Sequence, residues 1–430
     1  MASSLGPPPT LHDSRTVVAV DVTRVDAALR FDVDGARATA TAEVDFVVDG
    51  PCGHPVLDLR QPIDSLALDG RTLDPAAMPT VDLGGGLDAG MRVLDIALDE
   101  GSRHRLSFAY RLGLPAAVGA QPVGWTDGGV RFDLWMSDLM AGRYLEMWFP
   151  APLCHDRFAL SIDVEVLHTA RPHVLITNAG RGPESGFHWH AAYPAQFTSL
   201  SPMLVLAPAD EVEWRSRPVG LFGRARPLEL RSARHLDVDA DLEAVEADVA
   251  SWLAYLHARY GPWAHGDAMT VLCWGSGRGM EYDGATTASV GALEHEVFHS
   301  WFGRGVKPAR ASDGWIDEAW TTWATESRRC REPRFAALEV DLDHDPVLLC
   351  PPHPWSRHTP AASYGAGSRL FSSMAAHLGG ADRMRSAMAA FYRRHRGGLV
   401  TTDELQRHLQ SCTGVDLDPW WARYVHGRGG

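Results

Sequence analysis

One motif constrains this chain more than any other: His295-Glu296-Val-Phe-His299, followed after eighteen residues by Glu318. Apolar residues recur around the motif at helical spacing, and a helix places His295 and His299 one above the other on one face. Two imidazoles in that arrangement can bind one metal ion. A second helix is predicted to carry Glu318 as the third ligand. Ser289 and Asp313 are the predicted N-caps of the two helices.

This ligand set indicates a catalytic metal ion. Two histidines and a carboxylate leave one position of a tetrahedral zinc ion open for water, whereas structural zinc sites are closed by four protein ligands. The ion lowers the pKa of that water toward ~7, so Glu296 can accept its proton near neutral pH. We therefore predict one Zn²⁺ held by His295, His299 and Glu318, and hydrolytic chemistry. Cobalt or manganese would also accept these ligands. The alternative is a chance motif whose histidines are core or solvated residues.

The motif and its upstream flank resemble the gluzincin aminopeptidases, the family of aminopeptidase N and the leukotriene hydrolase. Their signature is His-Glu-x-x-His, eighteen residues, then Glu. Upstream, Gly277-Arg278-Gly279-Met280-Glu281-Tyr282 is similar to the Gly-x-Met-Glu-Asn strand of the family. The resemblance implies that Glu281 binds the free amine of the substrate, with Gly279 and Met280 as neighbouring substrate-binding residues.

The downstream flank resembles the family as well. Ser363-Tyr364-Gly365-Ala366-Gly367 is similar to the family's Tyr-x-Lys-Gly. The resemblance implies that the Tyr364 hydroxyl stabilises the oxyanion of the tetrahedral intermediate. Tyr364 itself is predicted to lie in a loop.

Four departures from the family pattern stand beside these likenesses. Tyr282 replaces the usual Asn, Ala366 the Lys, and Asp317 the Asn before the metal-binding Glu. No glutamine occurs between Gln121 and Gln196, where the family's N-terminal domain supplies one for amine recognition. These departures would permit a specificity other than that of a strict aminopeptidase.

The pattern of the chain predicts two domains. Residues 16–206 alternate apolar and polar residues in short segments separated by Gly, Pro and Asp, which is typical of antiparallel strands. Residues 206–236, rich in Arg, Gly and Pro, are the predicted crossing between domains. We predict an N-terminal antiparallel β-domain over residues 1–210, followed over 211–430 by a catalytic domain that the resemblance makes thermolysin-like and mainly α-helical. A length of 430 residues also favours more than one core.

Within the second domain the periodicity predicts particular elements. A helix starts near Asp239 with an acidic first turn and ends near Tyr260, and the apolar run 269–274 predicts a strand that leads to Glu281. Residues 370–392 predict two amphipathic helices, and Thr401 caps a third. Many relatives continue with a further helical domain that walls off the active site, whereas this chain stops at Gly430, so we expect that wall to be absent.

Composition narrows the partners and the compartment. A net charge of −14 argues against nucleic acid or an anionic membrane as the main partner. Residues 1–16 contain no basic segment followed by an apolar run, which predicts a soluble, cytoplasmic protein. The six cysteines form no Cys-x-x-Cys pair and are expected to be free thiols, with a Cys330–Cys350 bridge as the alternative. The sequence predicts no oligomeric state.

His188 and His190 are one further pair of histidines that could bind a metal ion. His188 and His190 would point to the same face of a strand. A second metal site there is the alternative to a partly exposed strand of the β-domain, and no third ligand is evident.

Three hypotheses of function follow. The first is a zinc aminopeptidase in which Glu281 binds the α-ammonium, Glu296 activates water and Tyr364 polarises the carbonyl. The second is a specialised zinc hydrolase acting on a non-peptide amide, ester or epoxide, or on one dedicated peptide. The third is a zinc-binding scaffold whose catalysis has decayed. Turnover that requires a free α-amine separates the first from the second.

Overall fold

Strands fill the first half of the chain and helices most of the second half. The computed structural model describes residues 5–86, 90–113, 123–134, 145–153, 156–180, 182–275, 279–329 and 345–429. The chain forms two compact units, Met1–Trp214 with Arg234–Asp237 and Arg215–Ala233 with Val238–Gly430. The assignment of residues 1–210 to a β-domain and of residues 211–430 to a catalytic domain remains a prediction.

The long strands of the first unit, such as Val20–Asp32 and Arg37–Val48, alternate apolar with polar residues and bury one face. His173–Thr177 and Leu204–Pro208 are instead buried at every residue. A register shift between Val22 and Arg24 indicates a β-bulge in the longest strand. The strands in chain order are β1 Thr10–His12, β2 Arg15–Val18, β3 Val20–Asp32, β4 Arg37–Val48, β5 His54–Leu57, β6 Ile63–Leu68, β7 Arg71–Leu73, β8 Thr80–Asp82, β9 Gly90–Val93, β10 Arg103–Arg111, β11 Val123–Thr126, β12 Gly129–Asp133, β13 Ala159–Leu167, β14 His173–Thr177, β15 Glu184–Gly186, β16 His188–Tyr193 and β17 Leu204–Pro208.

These strands form three sheets. The largest has the order β16-β13-β3-β4-β10-β6-β7, and the other two have the orders β1-β2-β5-β9-β8 and β11-β12-β17-β14-β15. Most pairs are antiparallel, as predicted for this half of the chain. Among the described pairs, β13 with β3 and β2 with β5 are parallel, because both connections return the chain from a distant segment rather than through a hairpin.

The second unit contains one five-stranded sheet and a two-stranded one. Two strands of this sheet lie within the predicted crossing at 206–236, where alternate residues such as Leu228 and Leu230 are buried. The crossing itself stays a prediction. The sheet order is β18-β19-β20-β22-β21, which leaves β21 at an edge. The strands are β18 Val212–Val219, β19 Leu228–His235, β20 Ala268–Trp274, β21 Gly279–Tyr282, β22 Ala285–Ser289, β23 Lys307–Pro308 and β24 Leu399–Val400.

Helices make up the rest of the second unit. The predicted helix from Asp239 is confirmed, with Asp241 as its N-cap, and so is the Thr401 cap, which forms a capping box with Glu404. The described helices are α1 Leu242–Arg259, α2 Leu293–His299, α3 Trp315–Arg329, α4 Ser368–His377, α5 Ala381–His395, α6 Thr402–Thr413 and α7 Asp418–Tyr424. A π-helical turn, Ser363–Gly367, runs directly into α4.

Two of the predicted helix caps were wrong. The N-cap of α2 is Ala292, which makes no side-chain cap, so the prediction of Ser289 was wrong. Asp313 does not cap α3, because its Oδ1 accepts hydrogen bonds from the Thr402 N–H at 2.8 Å and the Thr402 hydroxyl at 2.7 Å. This contact joins the start of α3 to the start of α6.

A core of buried aromatic residues lies under α2 and α3. Trp301, Trp315 and Trp320 are fully buried there, and Trp320 lies edge-on to Phe371 of α4 at 5.3 Å. Packing of this kind fixes the two helices against each other, and with them every side chain that they carry.

The remaining predictions concern the cysteines, the pair His188 and His190, and membrane-spanning helices. Cys52, Cys273, Cys350 and Cys412 form no disulfide bond. Cys154 and Cys330 lie outside the described residues, and so does the alternative Cys330–Cys350 bridge. His188 and His190 are exposed on one face of β16, and no group of ligands in the described part of the chain includes them. No described helix is long and apolar enough to cross a membrane.

Candidate metal centre

Helix α2 brings the two motif histidines together. Leu293, Val297 and Phe298 anchor the helix in the core, so the opposite face presents His295 and His299 to the same point. Their Nε2 atoms are 3.0 Å apart and their rings cross at 76°. Imidazoles four residues apart on a helix are thereby aimed at one place, as the spacing predicted.

Helix α3 adds the Glu318 carboxylate to this pair. Its Oε2 lies 3.3 Å from Nε2 of His295 and 3.5 Å from Nε2 of His299. Bonds of about 2.0 to 2.2 Å from a tetrahedral zinc ion separate its ligand atoms by about 3.3 to 3.6 Å. The three atoms therefore have nearly the spacing that one zinc ion requires, and they fit it.

The hydrogen bonding of His299 also suits a metal ligand. Its Nδ1 lies 3.1 Å from the Phe302 carbonyl oxygen, which can only accept, so Nδ1 carries the proton in the neutral ring. Nε2 is then left with a lone pair directed at His295 and Glu318. Outer hydrogen bonds of this kind fix the tautomer of metal-binding histidines.

Buried charges dominate the electrostatics of the centre. Burial lowers the pKa of His299, but the charges of Glu318 and Glu281 outweigh it and raise that pKa well above its ordinary value. Burial would raise the pKa of Glu318, yet His299 and His295 hold it well below its usual range. The site thus holds excess negative charge that demands a cation, either a proton or a metal ion.

Glu296 lies beside this centre and against β21. Burial, and then the charge of Glu281, raise its pKa well above the ordinary value for a glutamate, which suits a group that accepts a proton near neutral pH. A Cβ at Gly279 would lie only 2.2 Å from its Oε1. Position 279 therefore admits only glycine while Glu296 keeps this place.

Glu281, the predicted amine anchor, is buried on the edge strand β21, with only 4% of its surface exposed. Arg304 Nη2 donates to its Oε1 at 2.6 Å, and Arg304 Nε donates to its main-chain oxygen at 3.2 Å. The side chain of the neighbouring Met280 is buried in the core. The main-chain oxygen of Met280 accepts a hydrogen bond from the Thr286 hydroxyl at 2.9 Å.

Sequence reasoning missed Arg304. The signal that could have found it is the string Gly303-Arg304-Gly305, since two glycines that flank a cation just after the motif helix mark a tight turn.

Tyr364 lies beside His295. Its ring stacks on His295, with centroids 6.3 Å apart and an angle of 21°. The prediction of a loop was wrong, because Tyr364 lies in the π-helical turn before α4, an irregularity often found at functional sites. A Cβ at Gly367 would lie 2.6 Å from the Cβ of Ala319, so the turn packs closely on the helix that carries Glu318.

Asp317 supports the ligand that follows it. Its Oδ1 accepts the Glu318 N–H at 2.7 Å. Burial, followed by the charge of Glu318, raises its pKa to about 7. The carboxylate that stands where the family has Asn therefore stabilises the first turn of α3.

The predicted site residues lie close together in the second unit. In the described part of the chain, two groups of ligand atoms could hold a metal ion: His295 with His299 and Glu318, and Glu281 with Glu296 and His299. Both include His299, so they describe one centre. The first group fits better, because Arg304 already neutralises Glu281 in the second.

Comparison with curated proteins returns aminopeptidase N of Streptomyces lividans. It is 21% identical over 479 aligned residues, which cover 96% of this chain and 51% of that protein. The chain thus spans about half the length of the curated relative that it matches. No profile of a known protein family matches the chain.

Comparison with solved structures returns zinc metallopeptidases. The M1 zinc metallopeptidase of Deinococcus radiodurans has a TM-score of 0.66 at 18% identity, with 100% of this chain and 98% of that chain covered. Aminopeptidase A of Legionella pneumophila has a TM-score of 0.69 at 13% identity, with 98% and 51% covered. The resemblance in sequence and the predicted fold class, a β-domain followed by a mainly helical thermolysin-like domain, are confirmed.

Proposed function

We propose that this chain, which shares its fold with the gluzincin zinc metallopeptidases, is a zinc-dependent aminopeptidase whose catalytic residues lie within 211–430. One observation carries the proposal: three ligand atoms of His295, His299 and Glu318 converge at zinc-like separations. Glu296 and Tyr364 flank them. A hydrolase needs this combination of an open metal position, a base and an oxyanion donor.

In this proposal Glu296 is the general base. A bound zinc ion would supply Lewis acidity and a water of lowered pKa. The buried Glu296 carboxylate, with its raised pKa, accepts the proton of the attacking water and passes it to the leaving amine. Contact with Gly279 holds the carboxylate on the side of the centre where β21 runs.

Tyr364 supplies the hydrogen bond to the developing oxyanion. Its half-buried side chain stacks on His295, so the phenol ring lies beside one of the proposed metal ligands. Such a donor accelerates reaction because it binds the charge of the transition state more strongly than the ground-state carbonyl.

Strand β21 is the proposed platform for the substrate. It is the edge strand of its sheet, and an extended peptide can add to such an edge through main-chain hydrogen bonds. Glu281 on this strand faces the centre and is the proposed partner of the peptide α-ammonium. The Deinococcus radiodurans metallopeptidase has been solved with a Tyr-Ser-Ala substrate, which is compatible with a short peptide in such a cleft.

Metal analysis and one conservative variant test the proposal. Purified wild-type protein should contain about one zinc per chain and hydrolyse aminoacyl anilides. Glu296→Gln should retain the zinc and lose activity by about two to four orders of magnitude, since the base is removed while the ligands remain. The matched control is Glu294→Gln on the same helix. Full activity of Glu296→Gln, or a wild-type protein that binds no divalent metal, would end the proposal.

A specialised hydrolase is the second candidate, and the Glu281–Arg304 contact favours it. A carboxylate that already has a buried cationic partner is less selective for a free amine. Turnover of N-blocked amides or esters in preference to aminoacyl anilides would identify this alternative.

A further inference from the structure

Arg304 places a buried positive charge in the part of the centre proposed to bind the substrate amine. The Arg304 and Glu281 side chains are 2% and 5% exposed, and their closest atoms are 2.6 Å apart. The guanidinium also contacts the Glu281 main-chain oxygen and the Gly303 carbonyl. The Arg304 side chain therefore donates hydrogen bonds to both the carboxylate and the main-chain oxygen of Glu281, the residue that would bind the ammonium.

The main chain holds Arg304 firmly in this place. Its N–H donates to the His299 carbonyl at 2.9 Å. Gly303 has a φ of +109°, and a Cβ there would lie 2.7 Å from Asp317 Oδ2. A Cβ at Gly305 would lie 2.6 Å from the Ser300 carbonyl oxygen. Both neighbours must be glycine, and the turn between them presents the Arg304 side chain to β21.

The charge of this cation changes what the amine subsite can recognise. A free carboxylate attracts an ammonium, but a carboxylate paired at hydrogen-bond distance offers a nearly neutral pair, and its guanidinium repels an approaching cation. The local preference for a cation is thereby reduced at the end where a peptide amine would lie.

We propose that Arg304 is a specificity-determining residue that cancels the charge of Glu281, so that this site discriminates only weakly between substrates with a free α-ammonium and substrates whose terminal nitrogen is acylated. The proposal rests on the proposed function, since it assigns Glu281 to the amine subsite. It places Arg304 as a positioning residue that acts through Glu281 and not on the scissile bond.

A double-mutant cycle tests this proposal. The measured quantity is the ratio of kcat/KM for leucine anilide to that for N-acetylleucine anilide at pH 7, for wild type, Arg304→Gln, Glu281→Gln and the double variant. Arg304→Gln should raise the ratio about tenfold or more, because Glu281 then meets the ammonium without a competitor. Glu281→Gln should lower it by a similar factor. Arg304→Lys keeps the charge and should restore the wild-type ratio.

The double variant is the decisive member, because it has no uncompensated buried charge and should fold even if a single variant does not. If the two charges cancel in the wild type, the double variant retains the wild-type ratio within about threefold. If Arg304 were purely structural and Glu281 bound the ammonium effectively, the double variant would lose that anchor. Its ratio would then fall about tenfold or more. That result, or an unchanged ratio in Arg304→Gln, overturns the proposal.

A control and a binding assay separate this proposal from the proposed function. Lys307→Gln removes the buried partner of Asp283, 2.6 Å away in the same unit, and should change both substrates equally. Calorimetry of leucinamide and N-acetylleucinamide on the zinc-loaded protein gives the same selectivity ratio without turnover. An enzyme that hydrolyses neither anilide would contradict the proposed function, while the binding ratios would still support or overturn the role of Arg304.

Discussion

The Glu296 carboxylate occupies the space that a side chain at Gly279 would need: a Cβ at position 279 would lie 2.2 Å from Glu296 Oε1. The proposed base and the start of the edge strand β21 therefore occupy contiguous space. The conformation of Glu296 therefore depends on the absence of a side chain at residue 279.

The first prediction concerns this contact. In Gly279→Ala, Glu296 should move away, because the new methyl group meets the end of a flexible side chain rather than backbone. We expect kcat to fall about tenfold to a hundredfold with little change in thermal stability. Gly275→Ala is the matched control, since a Cβ there meets no atom within 4 Å. Undiminished kcat in Gly279→Ala would show that the position of Glu296 is not limiting.

The second prediction concerns the tyrosine. Tyr364→Phe should lower kcat about a hundredfold to a thousandfold while KM and zinc content stay near wild type, because only a hydrogen bond to the transition state is lost. Tyr255→Phe, at another half-buried tyrosine of the second unit, should leave kcat unchanged. Steady-state kinetics and metal analysis of both variants decide the matter. A change confined to KM would assign Tyr364 to substrate binding instead.

The third prediction concerns removal of the metal. A chelator should abolish activity and lower the unfolding midpoint by at least about 5 °C, because the ion binds the folded protein and offsets repulsion among buried carboxylates. Calorimetry with and without chelator, followed by added zinc, measures both effects. Glu318→Gln should have a lower midpoint that the chelator does not change. Insensitivity of the wild-type protein to a chelator would argue against a resident metal.

The fourth prediction concerns the first unit and pH. Burial raises the pKa of Asp156 to about 8, from an ordinary value of 3.8. Because the folded-state pKa exceeds the unfolded-state value, the contribution of Asp156 to stability is fully present below pH 3.8 and is lost as the pH rises through about 8. Asp156→Asn should therefore raise the unfolding midpoint at pH 8 more than at pH 5.

The matched control for this pH dependence is Asp34→Asn, at an exposed carboxylate of the same unit. It should leave the difference between the two pH values as in the wild type. Equal shifts of the Asp156→Asn midpoint at pH 5 and pH 8 would contradict the raised pKa.

Local sequence was sufficient to predict that the two histidines of the candidate metal centre lie together and to predict several of the helices. The spacing of His295 and His299 fixes their relation on any helix, and the Thr401 capping box depends on residues within one turn. A third ligand at Glu318 was predicted from its distance along the chain and from the family resemblance. Its convergence with the histidines within 3.5 Å depends on the aromatic core that packs α2 against α3.

The features that sequence reasoning missed depend on partners far along the chain. Asp313 Oδ1 accepts hydrogen bonds from Thr402, 89 residues away, so its local preference for a helix cap does not decide its contacts. The Glu281–Arg304 pair joins an edge strand to the turn after α2, and no spacing rule connects residues 23 apart in that way. Propensity reports local preference, while these contacts are set by tertiary packing.

The turn Gly303-Arg304-Gly305 leaves just one of its three positions open to variation. Its outer members have no room for a side chain, whereas the middle one projects across to the edge strand. Natural selection could therefore alter which chain ends are accepted by exchanging residue 304 alone, and the histidine helix would not need rebuilding. In a metallopeptidase with such a turn, a single substitution is enough to change the substrate specificity.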